Sequence, residues 1–399
     1  QVTIEAKGAF GNGDIYLEKY VTDLRHIEVQ ILRDKFANTK ILGLRDCSVQ
    51  RNNQKIFEES TSTMLTAELE KSVYTYAERL ADEVNYIGAG TVEFIFDLAN
   101  DAIYFMEMNT RLQVEHPVTE LVTNIDIVGE QFRIASGESI EHLKIEKKGY
   151  AIEVRITAEK VDVAADGTVN FIPTPGKILE CILPEVDHIT LISMAAEGKT
   201  ISPFYDSLIA QVICYGSGRQ DTIEKLLTYL ESVSIKGICT NISLVKRILK
   251  DDTFRGGVYN TGYLPKFLDQ LDKEELIKEI TLASDMDGNV IDMDALRIEG
   301  SDEIRVVAPS TGVFYITPSP SEPPYVSVGD VITSSKTLCQ IEAMKLFSPL
   351  SLSSFNSGST EVYSSSQKYE VVRINNVNGT HINQGDLLFV VKPNKDANK

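Results

Sequence analysis

The stretch Glu107-Met108-Asn109-Thr110-Arg111-Leu112-Gln113-Val114-Glu115-His116 alternates polar side chains with mostly apolar ones. In an extended strand, alternate residues share one face and lie roughly 6 to 7 Å apart. The pattern therefore predicts a strand with two unlike faces. The polar face holds Glu107, Asn109, Arg111, Gln113 and Glu115, and the buried face holds Met108, Leu112 and Val114.

The order of these polar groups indicates a site for a metal ion and an anion. A carboxylate followed by an amide, Glu107 and Asn109, suits a hard divalent cation such as Mg²⁺, which takes oxygen ligands. The guanidinium of Arg111 suits a small planar anion, because it can donate two parallel hydrogen bonds. Glu115 could then act as a base on that anion. The alternative is an edge strand with a solvated face, but such a face usually carries Lys, Thr and Ser in no special order.

A further acid, Glu93, lies in a neighbouring predicted strand. Residues 91–96 and 102–108 have strand composition, and the turn residues 97–101 between them predict a hairpin. Glu93 stands between Val92 and Phe94, where an unpaired carboxylate would be costly. A metal ion is a suitable partner for it, and a salt bridge is the alternative.

The sequence Glu342-Ala343-Met344-Lys345-Leu346 lies among short strand-like segments near the C-terminus. Its lysine stands between two strand-like halves, which predicts the exposed tip of a hairpin. An unmodified surface lysine is the ordinary interpretation of any single Lys. We interpret the four residues Glu342 to Lys345 together as a modification site.

The rest of the chain predicts an α+β protein with an all-β C-terminal part. Strands are predicted at 15–21, 25–32 and 150–158, and helices at 66–85, 124–136, 221–231 and 242–249. Residues 268–301 are acidic and predict a linker or a small docking element. From about residue 302 the strands are short, and the sequence VGDVI at 328–332 is echoed by QGDLL at 384–388. The Ser-rich stretch 351–366 predicts a solvated insertion.

The chain of 399 residues has a net charge of −19 and five cysteines. Its length allows two or three domains. The negative charge argues against nucleic-acid binding, because phosphate contacts need clustered Lys and Arg. No apolar run approaches the roughly 18 to 20 residues that cross a bilayer, so we expect no membrane association. The cysteines are scattered and lack metal-ligand spacing, which predicts free thiols and a cytoplasmic location.

Several segments together resemble biotin-dependent carboxylases. Residues 107–119 resemble the family's E-M-N-x-R-x-Q-V-E-H-P-V-T signature, and residues 45–50 resemble its R-D-C-S-x-Q segment. Residues 203–207 resemble its P-x-Y-D-S segment, and residues 173–176 its P-S-P-G turn. Residues 342–345 match the E-A-M-K sequence to which the family attaches biotin. The resemblance covers nearly the whole chain except the predicted linker.

The resemblance implies a division into domains. Residues 1–140 would be the C-terminal portion of an ATP-grasp domain, and residues 141–267 the biotin carboxylase C-terminal domain. After the linker 268–301, residues 302–394 would form an all-β biotinyl carrier domain, a flattened barrel whose pseudo-twofold symmetry accounts for the internal repeat. Residues 312–320 resemble a segment of acetyl-CoA carboxylase carriers. Those carriers have a protruding thumb after this segment, and residues 321–326 have the right length for one.

The resemblance also implies cofactors and roles for single residues. The family uses ATP, Mg²⁺ or Mn²⁺, and bicarbonate to carboxylate covalently held biotin, here on Lys345. The implied metal ligands are Glu93, Glu107 and Asn109. Arg111, Gln113 and Val114 would bind bicarbonate, Glu115 would deprotonate it, and Arg155 would stabilise the developing biotin enolate. The implied ATP contacts are Glu18, Lys19, Val21, His26, Gln50 and Lys55.

The sequence departs from the family pattern in three places. The family's N-terminal nucleotide-fold domain and the Gly-rich loop over the ATP phosphates have no counterpart here, so we expect an upstream segment or a separate polypeptide to complete the ATP site. Asn53 stands where the family has a His that faces the nucleotide. Gln211 stands where a Lys is common.

The predicted function is carboxylation of the chain's own tethered biotin, followed by transfer to an acceptor on a separate carboxyltransferase. The segment 268–301 is too short to house a transferase, and the acetyl-type thumb favours acetyl-CoA as acceptor. A subunit of a two-subunit pyruvate carboxylase is the first alternative. The second is a carrier and scaffold whose Lys345 is charged by another subunit. A biotin protein ligase is a further expected partner, and an oligomer is expected.

Overall fold

The computed structural model of the protein describes residues 2–51, 53–163, 169–284, 296–298, 300–319, 322–355, 363–364 and 367–394. Its helices are α1 (Val2–Phe10), α2 (Ala67–Glu83), α3 (His116–Thr123), α4 (Ile127–Ala135), α5 (Arg219–Ser232), α6 (Ile242–Lys250), α7 (Asp252–Gly256), α8 (Tyr263–Gln270) and α9 (Lys273–Ser284). None of these described helices is long and apolar enough to cross a bilayer. The predicted free thiols are confirmed for Cys47, Cys181, Cys214, Cys239 and Cys339.

The strands fall into three groups along the chain. The first group is β1 (Leu24–Arg33), β2 (Thr39–Asp46), β3 (Gln50–Arg51), β4 (Gln54–Lys55), β5 (Phe57–Glu59), β6 (Gly88–Asp97) and β7 (Ala102–Asn109). The second is β8 (Tyr150–Thr157), β9 (Glu159–Val163), β10 (Val169–Pro173), β11 (Gly176–Lys177), β12 (Glu180–Ile182), β13 (Ile189–Ser193), β14 (Thr200–Ile201), β15 (Leu208–Gly216) and β16 (Ser234–Lys236). The third is β17 (Ile304–Val307), β18 (Gly312–Tyr315), β19 (Val331–Thr333), β20 (Thr337–Ala343), β21 (Leu346–Ser351), β22 (Lys368–Ile374), β23 (Thr380–Ile382) and β24 (Leu387–Pro393).

One eight-stranded sheet joins the first two groups, in the order β13-β15-β8-β5-β2-β1-β6-β7. Strand β5 pairs with β8, with Phe57 opposite Val154, so the sheet runs across the domain boundary that we predicted near residue 140. The predicted strands at 25–32, 91–96, 102–108 and 150–158 all belong to this sheet. Its continuity holds residues that are far apart in the sequence in one rigid frame.

Helix α2 covers one face of this sheet. It begins after Thr66, whose Oγ1 accepts a hydrogen bond from the Leu69 amide at 3.2 Å and so satisfies one free N–H of the first turn. Its buried residues Val73 and Ala77 pack against apolar residues of β1, β2 and β6. The apolar period of residues 66–85 predicted this helix correctly. Because apolar residues of β1 point to α2, the polar residues that alternate with them face the other side.

The backbone does not stay extended through residues 107–116. Strand β7 ends at Asn109, residues 110–115 form a bend and turns, and α3 begins at His116. Pro117 favours the start of α3, because its fixed φ suits the first turn of a helix, where its missing N–H costs no hydrogen bond. The predicted continuous strand is therefore wrong beyond Asn109. Val114, which we predicted to be buried, is 36% exposed.

The predicted strand at residues 15–21 is also wrong. This segment is irregular and pairs with none of the described strands, and Tyr16, Leu17 and Tyr20 are 81%, 97% and 87% exposed. Its Val, Ile and Tyr content favours a strand, but a strand forms only where a partner satisfies its backbone groups.

The helix that we predicted at 124–136 begins at Ile127 in the structure, three residues after the predicted start. Asn124 ends α3 in the left-handed conformation, with φ of 55°, which an asparagine tolerates better than most residues. Asp126 then caps α4 by accepting a hydrogen bond from the Gly129 amide at 2.8 Å. Helix α3 was not predicted, because the polar alternation up to Glu115 masked a helix of only eight residues.

Helix α9 lies within residues 268–301, which we interpreted as a linker or docking element. Its Leu276 and Ile280 are buried in the core of the second group of elements. Arg247 of α6 pairs with Glu275 at 3.0 Å and with Glu279 at 2.8 Å. This helix therefore docks on the preceding part of the chain instead of linking freely. Residues 285–295 and 299 of the predicted linker lie outside the described residues.

The third group of strands forms two four-stranded antiparallel sheets, β17-β24-β22-β19 and β21-β20-β18-β23, around one core. The two copies of the internal repeat form equivalent turns. Asp330 Oδ2 accepts from the Ser327 amide at 2.8 Å, and Asp386 Oδ2 accepts from the Asn383 amide at 2.7 Å. The glycine before each aspartate has a positive φ, of 91° and 87°. The repeated sequence thus encodes a repeated turn.

The Ser-rich stretch 351–366 is not wholly solvated. Of its described residues, Leu352, Phe355 and Tyr363 are buried in the core between the two sheets. The Ser content misled the prediction, because these widely spaced apolar residues are the ones that pack. Residues 356–362 and 365–366 lie outside the described part of the chain. So do residues 320–321, where the predicted thumb begins.

Candidate active site

A cavity of about 500 Å³ opens on the face of the eight-stranded sheet that carries Glu93. The predicted site residues that line it are His26, Gln50, Lys55, Glu93, Glu107, Asn109, Arg111, Gln113, Val114, Glu115 and Arg155. Predicted ATP contacts Glu18, Lys19 and Val21 are not among its lining residues. Lys19 instead donates to Tyr104 Oη at 2.9 Å and to Asp97, the last residue of β6, at 3.2 Å.

The five polar groups of the stretch 107–116 do converge on this cavity, by a different backbone path from the one predicted. Glu107 and Asn109 come from strand β7, and the turns that follow bring Arg111, Gln113 and Glu115 to the same space. These five groups therefore line one cavity, although the strand that was predicted to carry them ends at Asn109. Turns can aim successive side chains at one point because their backbone reverses direction.

Both the oxygen and the nitrogen of the Gln113 side-chain amide are hydrogen-bonded. Arg45 Nη2 donates to Gln113 Oε1 at 3.1 Å, and Gln113 Nε2 donates to Glu93 Oε1 at 2.8 Å. Arg111 is exposed, and its Nη1 donates to the carbonyl oxygen of Leu112 at 3.3 Å. A fixed amide beside an accessible guanidinium is a suitable arrangement for holding a small anion.

Glu115 lies between two cations. Its side chain is buried, with Oε1 accepting from Lys55 Nζ and Oε2 accepting from Arg155 Nη2 at 3.0 Å. Burial would lower the pKa of Lys55, but the negative groups around it outweigh burial and raise that pKa. The pKa of Arg155 is likewise raised, against burial, by Glu58 and Glu115. Both cations therefore stay charged, and Glu115 is oriented by charge-assisted hydrogen bonds.

The residues predicted to hold a divalent cation lie together on β6 and β7. Glu93 is directly opposite Glu107 in the strand register, and Asn109 Nδ2 donates to Glu93 at 3.0 Å and to Glu107 at 3.2 Å. Burial would raise the pKa of Glu93, but a hydrogen bond from His26 and the charge of Lys55 lower it to about 2. Two carboxylates, with an amide oxygen available on rotation of Asn109, are donors that Mg²⁺ prefers. The residues present therefore fit such an ion.

Glu28 and Arg45 form a fully buried ion pair that we did not predict as part of the site. Arg45 Nε donates to Glu28 Oε1 at 2.5 Å, and Lys55 Nζ donates to Glu28 Oε2 at 2.6 Å. Burial would raise the pKa of Glu28, but these two cations outweigh it and lower the pKa to about 2. Glu28 also lies within 4.8 Å of His26 and Glu93, as ligand atoms around a metal would. Because Glu28 is already balanced by two cations, Glu93 is the better metal ligand of that group.

A second unpredicted pair, Glu58 and Glu153, lies behind Arg155. The two carboxyls face each other in the register of β5 and β8, and both are fully buried. Arg155 Nε donates to Glu58 Oε1 at 2.6 Å, while Oε2 of each glutamate has no hydrogen-bond partner among the described residues. Burial raises the pKa of Glu58 to about 7, since Arg155 compensates only in part, and burial together with Glu58 raises that of Glu153. The pair therefore retains a proton near neutral pH.

Glu58→Gln should flatten the dependence of stability on pH. In the wild type the folded protein holds the Glu58 proton up to about pH 7, whereas the unfolded chain releases it near pH 4.5. The free energy of unfolding therefore falls as pH rises through this window, by on the order of 2 kcal/mol from this group. A neutral glutamine has no such term, so urea midpoints measured between pH 5 and 8 should decline less.

The control for this experiment is Glu138→Gln, which removes an exposed carboxyl distant from the cavity. It should follow the wild-type pH curve. Parallel curves for the wild type and Glu58→Gln would contradict the buried-proton interpretation.

Two family models match the first two thirds of the chain. The model described as carbamoyl-phosphate synthase L chain, ATP binding domain, matches residues 1–143, and the biotin carboxylase C-terminal domain matches residues 153–266. Biotin carboxylase 1 of Bacillus subtilis is 44% identical over 265 residues, which are 66% of this chain and 58% of that protein. This part of the chain belongs to the biotin carboxylase family.

Solved biotin carboxylase structures agree with this assignment. The biotin carboxylase domain of Hydrogenobacter thermophilus 2-oxoglutarate carboxylase, in complex with MgADP, ADP and bicarbonate, has a TM-score of 0.61 at 42% identity over 66% of this chain and 57% of its own. The biotin carboxylase subunit of a pyruvate carboxylase has a TM-score of 0.59 at 41% identity over 67% and 58%. The chain thus spans less than two thirds of the length of these biotin carboxylases. The family resemblance stated from the motifs is confirmed for residues 1–266.

Of the two substitutions relative to the family pattern, one lines the cavity and the other contacts a residue that lines it. Asn53 lines it from the turn between β3 and β4, with φ of 65°. Gln211 Nε2 donates to the Val114 carbonyl at 2.8 Å and to Glu153 Oε1 at 2.9 Å. Gln211 thereby ties the turn at 110–115 to strand β8 without adding the positive charge that a lysine would bring.

Proposed function

We propose that this chain takes part in the ATP- and bicarbonate-dependent carboxylation of biotin carried on its own Lys345. The observation that carries the proposal is the position of Glu115 between Lys55 and Arg155, beside the acid and amide groups of β6 and β7. Phosphoryl transfer depends mostly on positioning and on neutralising charge, so a site of this kind is expected to contain paired cations and metal-binding acids.

Each group has a part in this chemistry. Arg111 and Gln113 would hold bicarbonate, with Val114 at the same turn, and Glu115 would accept its proton as it attacks the γ-phosphorus of ATP. Arg155 would offer positive charge where negative charge develops on the biotin side. The ATP roles of His26, Gln50 and Lys55 agree with their place in the cavity lining, and those of Glu18, Lys19 and Val21 remain predictions.

A divalent cation held by Glu93, Glu107 and Asn109 would neutralise the charge of the phosphates. The fit of these donors, and the MgADP bound by the Hydrogenobacter thermophilus relative, support Mg²⁺ as this ion. Mn²⁺ has the same preference for oxygen donors and is the alternative.

Lys345 has the geometry of an attachment site. Ala343 pairs with Leu346, so Met344 and Lys345 form the two-residue loop of the β20–β21 hairpin, with φ of 52° and 63°. Such a loop matches the right-handed twist of the two strands that it joins. Lys345 is exposed, and a lysine that a biotin protein ligase modifies must be accessible to that enzyme. With the E-A-M-K sequence, this supports residues 302–394 as a biotinyl carrier.

We propose acetyl-CoA as the acceptor, reached through a separate carboxyltransferase. The resemblance of residues 312–320 to acetyl-type carriers supports it. Pyruvate and 2-oxoglutarate are the alternatives, because relatives of the carboxylase part belong to carboxylases of those acids. Further proposed partners are a biotin protein ligase, a polypeptide or segment that completes the ATP site, and a second subunit in an oligomer. The free thiols support a cytoplasmic location.

The test is bicarbonate-dependent ATP hydrolysis by the purified chain in the presence of free biotin. Hydrolysis by the chain alone, or only after addition of a biotin carboxylase N-terminal fragment, would support the proposal. Absence of bicarbonate-dependent hydrolysis in both preparations would overturn it. The carrier and scaffold function, with Lys345 charged by another subunit, would then be the better account.

A further inference from the structure

The hairpin that carries Lys345 is in contact with the carboxylase part of the same chain. The Met344 amide donates to the Pro203 carbonyl at 2.6 Å, and the Met344 side chain is 1% exposed within the apolar core of that part. The ring of Phe204 packs edge-on against His381 of strand β23, with 5.3 Å between centroids. The hairpin tip and β23, two separate parts of the all-β unit, thus both contact the turn at residues 203–205.

A second contact continues the same surface. Strand β21, which follows Lys345, lies against strand β10 of the carboxylase part. Phe171 of β10 lines the site cavity and stacks under the guanidinium of Arg51, 4.3 Å from the ring centroid. Arg51 is paired with Glu159, which accepts from Ser207 Oγ at 2.5 Å. The strand and the turn that contact the hairpin are therefore connected by residues that line the cavity.

Both contact elements lead directly to the cavity. Asp206, Ser207 and Leu208 line it, and they begin three residues after Pro203. Three residues of extended chain span at most about 11 Å. The hairpin tip is consequently seated beside the cavity, with Met344 buried against the turn and the neighbouring Lys345 left exposed.

We propose that the turn at residues 203–205, together with β10, is a docking surface for the Lys345 hairpin of its own chain. The buried Met344 side chain holds the hairpin in place, and the contact of Phe204 with His381 fixes its orientation. A group on Lys345 is thereby presented to the adjacent cavity. The inference rests on the proposed function for its purpose. The contact itself is independent of that function. The occupant is this hairpin because it is the segment seated there.

The test is hydrogen exchange of the full-length chain, followed by mass spectrometry of the peptide that contains Met344. In the docked state the Met344 amide is bonded to Pro203, and on release it faces solvent. Phe204→Ala should speed exchange of this peptide by about 10-fold, because loss of an aromatic pair favours local opening. His381→Ala should have the same effect from the other side of the contact.

Phe132→Ala is the matched control, since Phe132 is also an exposed phenylalanine, 72% against 61% for Phe204, and lies on α4. It should leave exchange at Met344 unchanged. Equal exchange in the wild type, Phe204→Ala and His381→Ala would overturn the docking surface. An effect of only one of the two substitutions would also overturn it, because both rings belong to one contact.

A second readout separates this inference from the proposed function. Phe204→Ala should lower bicarbonate-dependent turnover with biotin on Lys345 and leave turnover with free biotin unchanged. Equal loss with both forms of biotin would count against docking. If the wild type turns over neither form, the proposed function fails, while the exchange result still decides whether the hairpin docks.

Discussion

Lys345→Arg is expected to abolish biotin attachment completely. Attachment requires an amine that can lose its proton and attack an activated carboxyl group. A lysine can do so, whereas an arginine stays charged under all accessible conditions and its guanidinium is a poor nucleophile. Arginine keeps the charge and length of the side chain, so the hairpin itself should be preserved. Mass spectrometry of protein co-expressed with a biotin protein ligase should find one biotinyl group on the wild type and none on the variant.

Lys336→Arg is the matched control for this experiment. Lys336 is an exposed lysine next to a turn of the same all-β unit, between β19 and β20, but it lacks the Glu-Ala-Met context. Its replacement should leave biotinylation complete. Biotin on the Lys345→Arg variant, or its absence from the wild type, would show that residues 342–345 were misinterpreted. An equal loss in both variants would point to damage to the unit as a whole.

Local patterns in the sequence predicted those parts of the fold that local interactions decide. The hairpin of β6 and β7 followed from composition and turn residues, and the helix after Thr66 followed from its apolar period. The repeated Gly-Asp sequences predicted a repeated unit, and each copy forms the same turn. The segment 15–21 lacks a partner strand, and strand formation depends on neighbours that a sequence window does not contain.

The sequence indicated which side chains line the candidate site, but not the buried charged residues that hold them in place. The five groups of residues 107–115 were identified from spacing, and they meet at one cavity although the strand ends at Asn109. Arg45 was within a quoted motif, yet its burial against Glu28 depends on the pairing of β1 with β2. Glu58 and Glu153 lie 95 residues apart and meet only because β5 pairs with β8. Charge networks of this kind are set by the sheet order, which no local pattern encodes.

That network explains why Glu115, and not Glu28, Glu93 or Glu58, is expected to act on bicarbonate. Glu28 is neutralised by Arg45 and Lys55, and Glu93 accepts from Asn109 and Gln113. Glu58 lies behind Arg155, and burial raises its pKa to about 7. Glu115 is buried at the cavity wall, and its two cations hold the carboxylate in one orientation.

Glu115→Gln should therefore lower bicarbonate-dependent ATP hydrolysis by about 10²- to 10⁴-fold, the usual effect of losing a positioned general base. A glutamine keeps the size of the side chain, and its one oxygen can still accept a hydrogen bond from either Lys55 or Arg155, so the fold should be retained, with thermal unfolding close to that of the wild type. It cannot take a proton from bicarbonate. Steady-state rates in the same preparation in which the wild-type chain is active will measure the effect, with Glu138→Gln as the control for loss of an exposed carboxyl. A Glu115→Gln rate within a few-fold of the wild type would mean that bicarbonate is deprotonated elsewhere, and Glu115 would then serve only to hold the two cations in place.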